Sequence, residues 1–242
     1  MRIDPNSCVG CGQCISYCPM EAIHLTDAGV SEVDQEECVE CGVCLRNASC
    51  PTDAIIETEN PWPRSVRASF SNPLMEHKET RIPGRGTEEM KTNDVTGRFR
   101  YGQVGMAMEV GRPGTGTRFR DVQILTMMLA ELGIHLEVQN PVTSLIVDED
   151  KGLLNPDVLN EKVLSAIVEF TIPIEKVPGV IERLREVEGQ LNTVFSVDLI
   201  CKVRQNDFVA TVPLMERLGV SLSANGKNNL GLGRPYFEEA LP

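Results

Sequence analysis

Cys8-Val-Gly-Cys11-Gly-Gln-Cys14-Ile-Ser-Tyr-Cys18-Pro19 is echoed by Cys38-Val-Glu-Cys41-Gly-Val-Cys44, five further residues and Cys50-Pro51. The two runs hold eight of the nine cysteines, and the second begins 30 residues after the first. Three cysteines at two-residue spacing wrap a short loop, so three thiolates can reach three irons of one [4Fe–4S] cube. The likeness continues past the cysteines, Cys-Pro-Met-Glu-Ala-Ile against Cys-Pro-Thr-Asp-Ala-Ile. Pro19 and Pro51 fix φ and remove a donor where the chain leaves each loop. Gly10, Gly12 and Gly42 carry no Cβ, which lets backbone N–H groups come close to the metal site.

This pattern resembles the bacterial-type two-cluster ferredoxin domain over residues 1–58. The resemblance implies two [4Fe–4S] clusters, with the cysteine before each proline carried across to the other cluster. One set is then Cys8, Cys11, Cys14 and Cys50, the other Cys38, Cys41, Cys44 and Cys18. With that exchange neither half can close its own site, so the two halves fold as one unit. One departure stands out: five residues, Leu45 to Ser49, precede Cys50, where the first run has three. The insertion predicts a local bulge beside Cys50. Two structural zinc sites are the competing reading, but zinc ribbons use paired Cys-x-x-Cys knuckles and call for neither a third cysteine nor the Cys-Pro.

At 242 residues the chain exceeds what a small metal-bound domain needs, and the remainder is long enough for a conventional apolar core. Cysteine committed to metal points to a reducing cytoplasm rather than a disulfide framework. There is no secretory leader pattern at Met1-Arg2-Ile3 and no apolar run of membrane-spanning length, so the expectation is a soluble cytoplasmic protein without a membrane span. Through residue 60 there are eleven acids and two bases, net −9, and the rest carries −3 of the total −12. An acidic electron carrier is steered toward a basic partner, and it is the wrong charge for nucleic acid.

Residues 59–103 read as an extended linker or docking arm, punctuated by Pro61, Pro63, Pro73 and Pro83 and without apolar periodicity. Its basic residues, Arg64 and Arg67 among them, suit docking against the acidic N-terminal domain. The polar run Arg81 to Gly97 reads as an ordered packing or subunit-contact arm, a ligand-site loop or a flexible tether. Residues 104–242 read as an α+β domain with an irregular tail from Ser223 to Pro235. Strands are predicted at Val104–Val110, Ile134–Val138, Thr143–Val147, Leu164–Ile172 and Asn192–Val203. A helix is predicted from Arg118 with Thr117 as its N-cap, Val122, Leu125, Leu129 and Leu132 on its buried face and Gly133 at its end. A second runs from Glu175 to Val187, with Val177, Val180, Ile181 and Leu184 inward, and a short third from Val212 to Leu218. The order strand–helix–strand, insertion, strand–helix–strand is a split βαβ arrangement.

Outside the cysteines one stretch invites a ligand. Gly111, Arg112, Gly114, Thr115, Gly116, Thr117 and Arg118 lie between a strand and a helix, where helix N–H groups and two arginines suit a flavin or nucleotide phosphate. The spacing matches neither the dinucleotide fingerprint nor the Walker loop, and a tight turn accounts for it equally. Cys201 reads as an inert buried thiol, Met127 and Met128 as core filler, and His24, His77 and His135 as structural. The leading functional expectation is an electron-transfer subunit passing single electrons to a catalytic partner in an oxidoreductase of low-potential anaerobic metabolism. Beside it stands an iron–sulfur reductase whose own C-terminal domain binds flavin or a small anion. A redox sensor, in which cluster loss reshapes the C-terminal domain, is a third.

Overall fold

Two apolar cores lie on either side of one short helix. The computed structural model describes residues 1–84, 86–87, 99–112, 114–202 and 209–223. The Arg81–Gly97 run and the Ser223–Pro235 tail therefore fall largely outside the described residues.

The N-terminal core is built from the repeat. Strand β1 (Arg2–Ile3) is followed by α1 (Gln13–Ser16), β2 (Ile23–Leu25), β3 (Ser31–Val33), α2 (Val43–Asn47) and β4 (Ile55–Ile56). Two small antiparallel pairs, β1 with β4 and β2 with β3, close it. Each helix starts at a left-handed glycine, Gly12 at φ 71° and Gly42 at φ 68°. The Leu45–Ser49 segment, two residues longer than its counterpart in the first run, lengthens α2 and is closed by Ser49 at φ 45°.

Helix α3 (Ser65–Ser71) comes next and is the element that periodicity missed. Val66 and Phe70 enter the larger C-terminal core. Arg64 and Arg67 turn the other way, toward the N-terminal domain. Phe70 meets Phe119 and His77 edge-on, with ring centroids 5.0 and 5.1 Å away.

The C-terminal part is β5 (Gln103–Val110), β6 (Thr117–Arg118), α4 (Phe119–Glu131), β7 (Ile146–Asp148), β8 (Leu153–Leu154), β9 (Lys162–Val163), β10 (Ala166–Pro173), α5 (Val177–Val187), β11 (Phe195–Ile200) and α6 (Thr211–Arg217). The fold is α+β. Strand β5 is central, antiparallel to β10 on one side and β11 on the other. Val104, Met106, Met108 and Val110 present one face of β5 to Val122, Leu125 and Leu129 of α4 and Val180, Ile181 and Leu184 of α5. Burying each such aliphatic side chain contributes about 1.5–3 kcal/mol.

Four expectations need correction. The predicted strand at Ile134–Val138 is a single bridge, Leu136 to Phe170. Thr143–Leu145 is a 3-10 turn, with strand only from Ile146. Thr117 does not cap α4: it pairs with Val163, its hydroxyl donates to the Arg118 carbonyl, and the N-cap is Arg118. Met127 is exposed on the outside of α4, while Met128 alone of the pair is buried.

Gly152 is wedged against α4. A Cβ there would lie 2.3 Å from the Thr126 carbonyl oxygen, and its φ is 68°. Gly152→Ala is expected to cost about 2–3 kcal/mol, from strain at positive φ plus the clash, read as a shift in the denaturant midpoint at unchanged slope.

Candidate metal centre

The geometry around the cysteines follows from the repeat. Glu21 and Asp53, equivalent residues in Cys-Pro-x-acid-Ala-Ile, both take left-handed φ, 53° and 52°. That bend folds the following alanine back on the cysteine. Ala22 N–H donates to Cys18 Sγ at 3.2 Å and Ala54 N–H to Cys50 Sγ at 3.3 Å. Each alanine then links onward to the opposite run. Asp34 N–H donates to the Ala22 carbonyl at 2.7 Å, and Cys38 N–H to the Asp34 carbonyl at 2.9 Å. Asp4 N–H donates to the Ala54 carbonyl at 2.9 Å, and Cys8 N–H to the Asp4 carbonyl at 3.0 Å. The same three-link chain thus ties Cys18 to Cys38 and Cys50 to Cys8.

Cys18, Cys38, Cys41 and Cys44 line one cavity of about 320 Å³ including its mouth, walled by Met1, Pro19, Met20, Ala22, Ile23, Val33 and Val39. Burial, the largest influence, pushes the Cys38 and Cys41 thiols up and raises Cys44 to about 11, with the neighbouring Cys41, Cys38 and Cys18 adding to the last. Thiols so placed ionise only against positive charge, which iron supplies. Among the described residues no three His, Cys, Asp or Glu side chains are arranged to hold a single metal ion. Four thiols around an apolar cavity fit a cluster instead.

The other four cysteines sit differently. Cys14 is buried, Cys8 and Cys50 are half-buried, and Cys11 is exposed. Cys50 is held below the ordinary thiol range, first by the Thr52 N–H. Ser31 N–H donates to Cys8 Sγ at 3.3 Å, and the buried Ser31 hydroxyl has no partner within the protein. A buried orphan donor beside a cysteine suits a group carrying acceptor sulfides.

Sequence reasoning missed the contacts that cover the second run. Glu40 stands where the first run has Gly10, and both are left-handed, at φ 58° and 67°. A non-glycine residue there carries strain. Glu40 is buried, pairing with Arg64 at 2.6 Å and with the Met1 amine. Arg64 also donates to the Gln35 carbonyl and side chain. Arg67, 3% exposed, donates to the carbonyls of Gln35, Glu36 and Cys38 and pairs with Glu161. Lys162 and Arg118 hold Glu37. Aligning the two runs exposes Glu40 as the odd residue; nothing in the sequence marks its partners.

Several groups of the Gly111–Arg118 loop and of the helix start behind it are bonded within the chain. The first amides of α4, Phe119 and Arg120, donate to the Glu161 and Leu159 carbonyls. Arg112 pairs with Glu109 at 3.5 Å, and Arg118 donates to the Asn160 carbonyl. Gly116 closes back on the Gly111 carbonyl and sits so near Met20 that a Cβ would approach its methyl to 2.6 Å. Gly114 and Thr115 are exposed within that turn. His77 is buried, Nε2 3.1 Å from the Gly84 carbonyl, and burial lowers its pKa; His24 and His135 are exposed. Cys201 is half-buried, 3.6 Å from the Thr211 hydroxyl. Among the described residues no helix is long and apolar enough to cross a membrane.

Residues 1–57 match the family model described as a 4Fe-4S dicluster domain. The chain is similar to a ferredoxin of Pyrobaculum islandicum, 33% identical over 63 residues that make up 26% of this chain and 57% of that protein. It is also similar to a probable ferredoxin of Methanosarcina thermophila, 43% identical over 36 residues, 15% of this chain and 62% of the relative. The chain thus spans about three-fifths of the length of these curated relatives. No solved structure matches it. The N-terminal segment is of the 4Fe-4S ferredoxin type, and a segment of that type implies iron–sulfur electron transfer.

Proposed function

We propose that the chain is an electron-transfer subunit with two [4Fe–4S] clusters, serving a catalytic partner in an oxidoreductase of anaerobic metabolism. Cys8, Cys11, Cys14 and Cys50 hold one cluster, and Cys18, Cys38, Cys41 and Cys44 the other. Each cluster supplies a one-electron couple. The observation that carries the reading is the duplicated hydrogen-bond chain, Cys18–Ala22–Asp34–Cys38 and Cys50–Ala54–Asp4–Cys8, which fastens each fourth cysteine to the run it would serve.

The surrounding residues have definable tasks. The amides of Ala22, Ala54 and Ser31 draw charge from the sulfurs of Cys18, Cys50 and Cys8, which favours the reduced state. Met20, Ile23, Val33 and Val39 keep water from the second site. Residues 59–103 serve as a docking arm through Arg64 and Arg67. The C-terminal unit reads as a split βαβ domain whose second strand has shrunk to the Leu136 bridge, and its role is to engage the partner. A reducing cytoplasm suits nine unpaired thiols. The flavin-binding alternative needs a phosphate site at Gly111–Arg118, where the Gly116, Phe119 and Arg120 amides and both arginines already have partners, so the carrier reading is preferred.

Anaerobically purified full-length protein is expected to contain about eight iron atoms and as many labile sulfides per chain. Its spectrum should show a broad thiolate-to-iron shoulder without resolved flavin bands. Zinc, or about four irons, would refute the two-cluster reading.

A further inference from the structure

The two halves of the repeat are alike in sequence but opposite in surroundings. Beside the second run, Glu40 is paired by Arg64, Glu36 and Glu37 by Arg118, and Glu37 also by Lys162. Helix α3 and strand β9 lie over this side, and Cys38, Cys41 and Cys44 are buried. Glu21, Asp27, Asp53 and Glu57 are exposed, and none joins an ion pair among the described residues. Among the described residues the Asp4 carboxylate accepts from Asn6 and Ser7 and joins no ion pair.

Two apolar side chains are exposed on the same half of the repeat. Val9 is 64% exposed and Leu25 49%. They form one surface, because the Gly29 carbonyl lies directly against Gly10 and Leu25 Cδ2 sits 3.9 Å from where a Gly10 Cβ would be. Exposed Cys11 is next in the chain. Asp27 lies in the turn that carries Gly29, and Asp53 follows Cys50 by three residues, its N–H on the Cys50 carbonyl at 3.4 Å.

We infer that this face, Val9 and Leu25 ringed by Asp4, Asp27 and Asp53 beside Cys11, is the docking surface for an external one-electron protein carrier with a basic rim. Unpaired surface acids steer such a partner and set its orientation, while the small apolar centre excludes water at contact. Electrons then enter or leave at the Cys8 site, and the Cys18 site faces the covered interior. The inference rests on the two-cluster reading above.

Oxidised cytochrome c, a basic haem protein, is a suitable probe. The dithionite-reduced full-length chain, freed of excess reductant, gives one electron from a reduced cluster to ferric haem, leaving an oxidised cluster and ferrous haem. Iron content and EPR are checked first in every sample; absence of clusters there would overturn the two-cluster reading itself. With clusters present, Asp27→Asn/Asp53→Asn is expected to slow the second-order rate about three- to tenfold at low ionic strength, with the difference vanishing at high salt. Val9→Lys, which places a like charge at the centre, is expected to slow it similarly. Asp150→Asn, in the exposed β7–β8 turn far along the chain, is expected to leave the rate unchanged. Equal slowing by Asp150→Asn, or unchanged rates in both first-run variants with clusters intact, would overturn the docking surface.

Discussion

Cys18→Ser is expected to empty the site lined by Cys38, Cys41 and Cys44, 20 residues further along the chain, and to spare the site of Cys11 and Cys14 beside it. Iron should fall from about eight to about four atoms per chain. The physical reason is the placement of Cys18. It opens into the same cavity as those three thiols, and the Ala22–Asp34 hydrogen bonds hold it there. Double variants make the assignment unambiguous, because groups acting on one site are non-additive and groups on separate sites add. Cys18→Ser with Cys41→Ser should retain about four irons, no fewer than either alone. Cys18→Ser with Cys11→Ser should retain almost none. The reverse outcome, additive loss with Cys41 and no further loss with Cys11, would show that each run closes its own site and would sink the crossed ligation.

How far the chain could be read in advance depends on whether its signals are local. Cysteine spacing is local, so the 4Fe-4S ferredoxin type of the N-terminal segment was legible without coordinates. Helices α4 and α5 were legible because Val122, Leu125 and Leu129, and Val177, Val180, Ile181 and Leu184, repeat at the helical period over about two turns. Helix α3 has only seven residues and two core positions, Val66 and Phe70, too few to mark a period. Its arginines look like solvated charge until their carbonyl partners, about 30 residues earlier, are known. Ile134–Val138 carries β-formers, yet only Leu136 pairs, since strand propensity reports a half-buried surface rather than a backbone partner. At the Gly111–Arg118 loop, glycines and arginines at a helix start suggest an anion, and the sequence does not show that the Phe119 and Arg120 amides donate to the Glu161 and Leu159 carbonyls.

Arg67→Met is expected to destabilise the protein by about 3–5 kcal/mol, because it takes their donor from the Glu161 carboxylate and from the Glu36 and Cys38 carbonyls and leaves the Gln35 carbonyl to Arg64 alone. Arg67 is 3% exposed and Glu161 is largely covered. Methionine matches the stem but donates nothing to the carbonyls of Gln35, Glu36 and Cys38. Arg67→Lys should recover only part of the loss, since one ammonium cannot reproduce a planar fork directed at four acceptors. Glu161→Gln should be milder, about 1–2 kcal/mol, as the amide can still accept a hydrogen bond. Denaturant unfolding of the iron-loaded chain, followed by cluster absorbance and by far-UV circular dichroism, separates two consequences. If Arg67 joins the two cores, the variant loses cluster absorbance at a lower denaturant concentration than it loses helix, where the parent loses both together. A shift below about 1 kcal/mol with coincident transitions would mean that the arm merely lies against the second cysteine run. The Cys38 carbonyl is the reason to expect otherwise: it belongs to a proposed ligand, so the bond that anchors α3 also fixes the backbone from which that ligand projects.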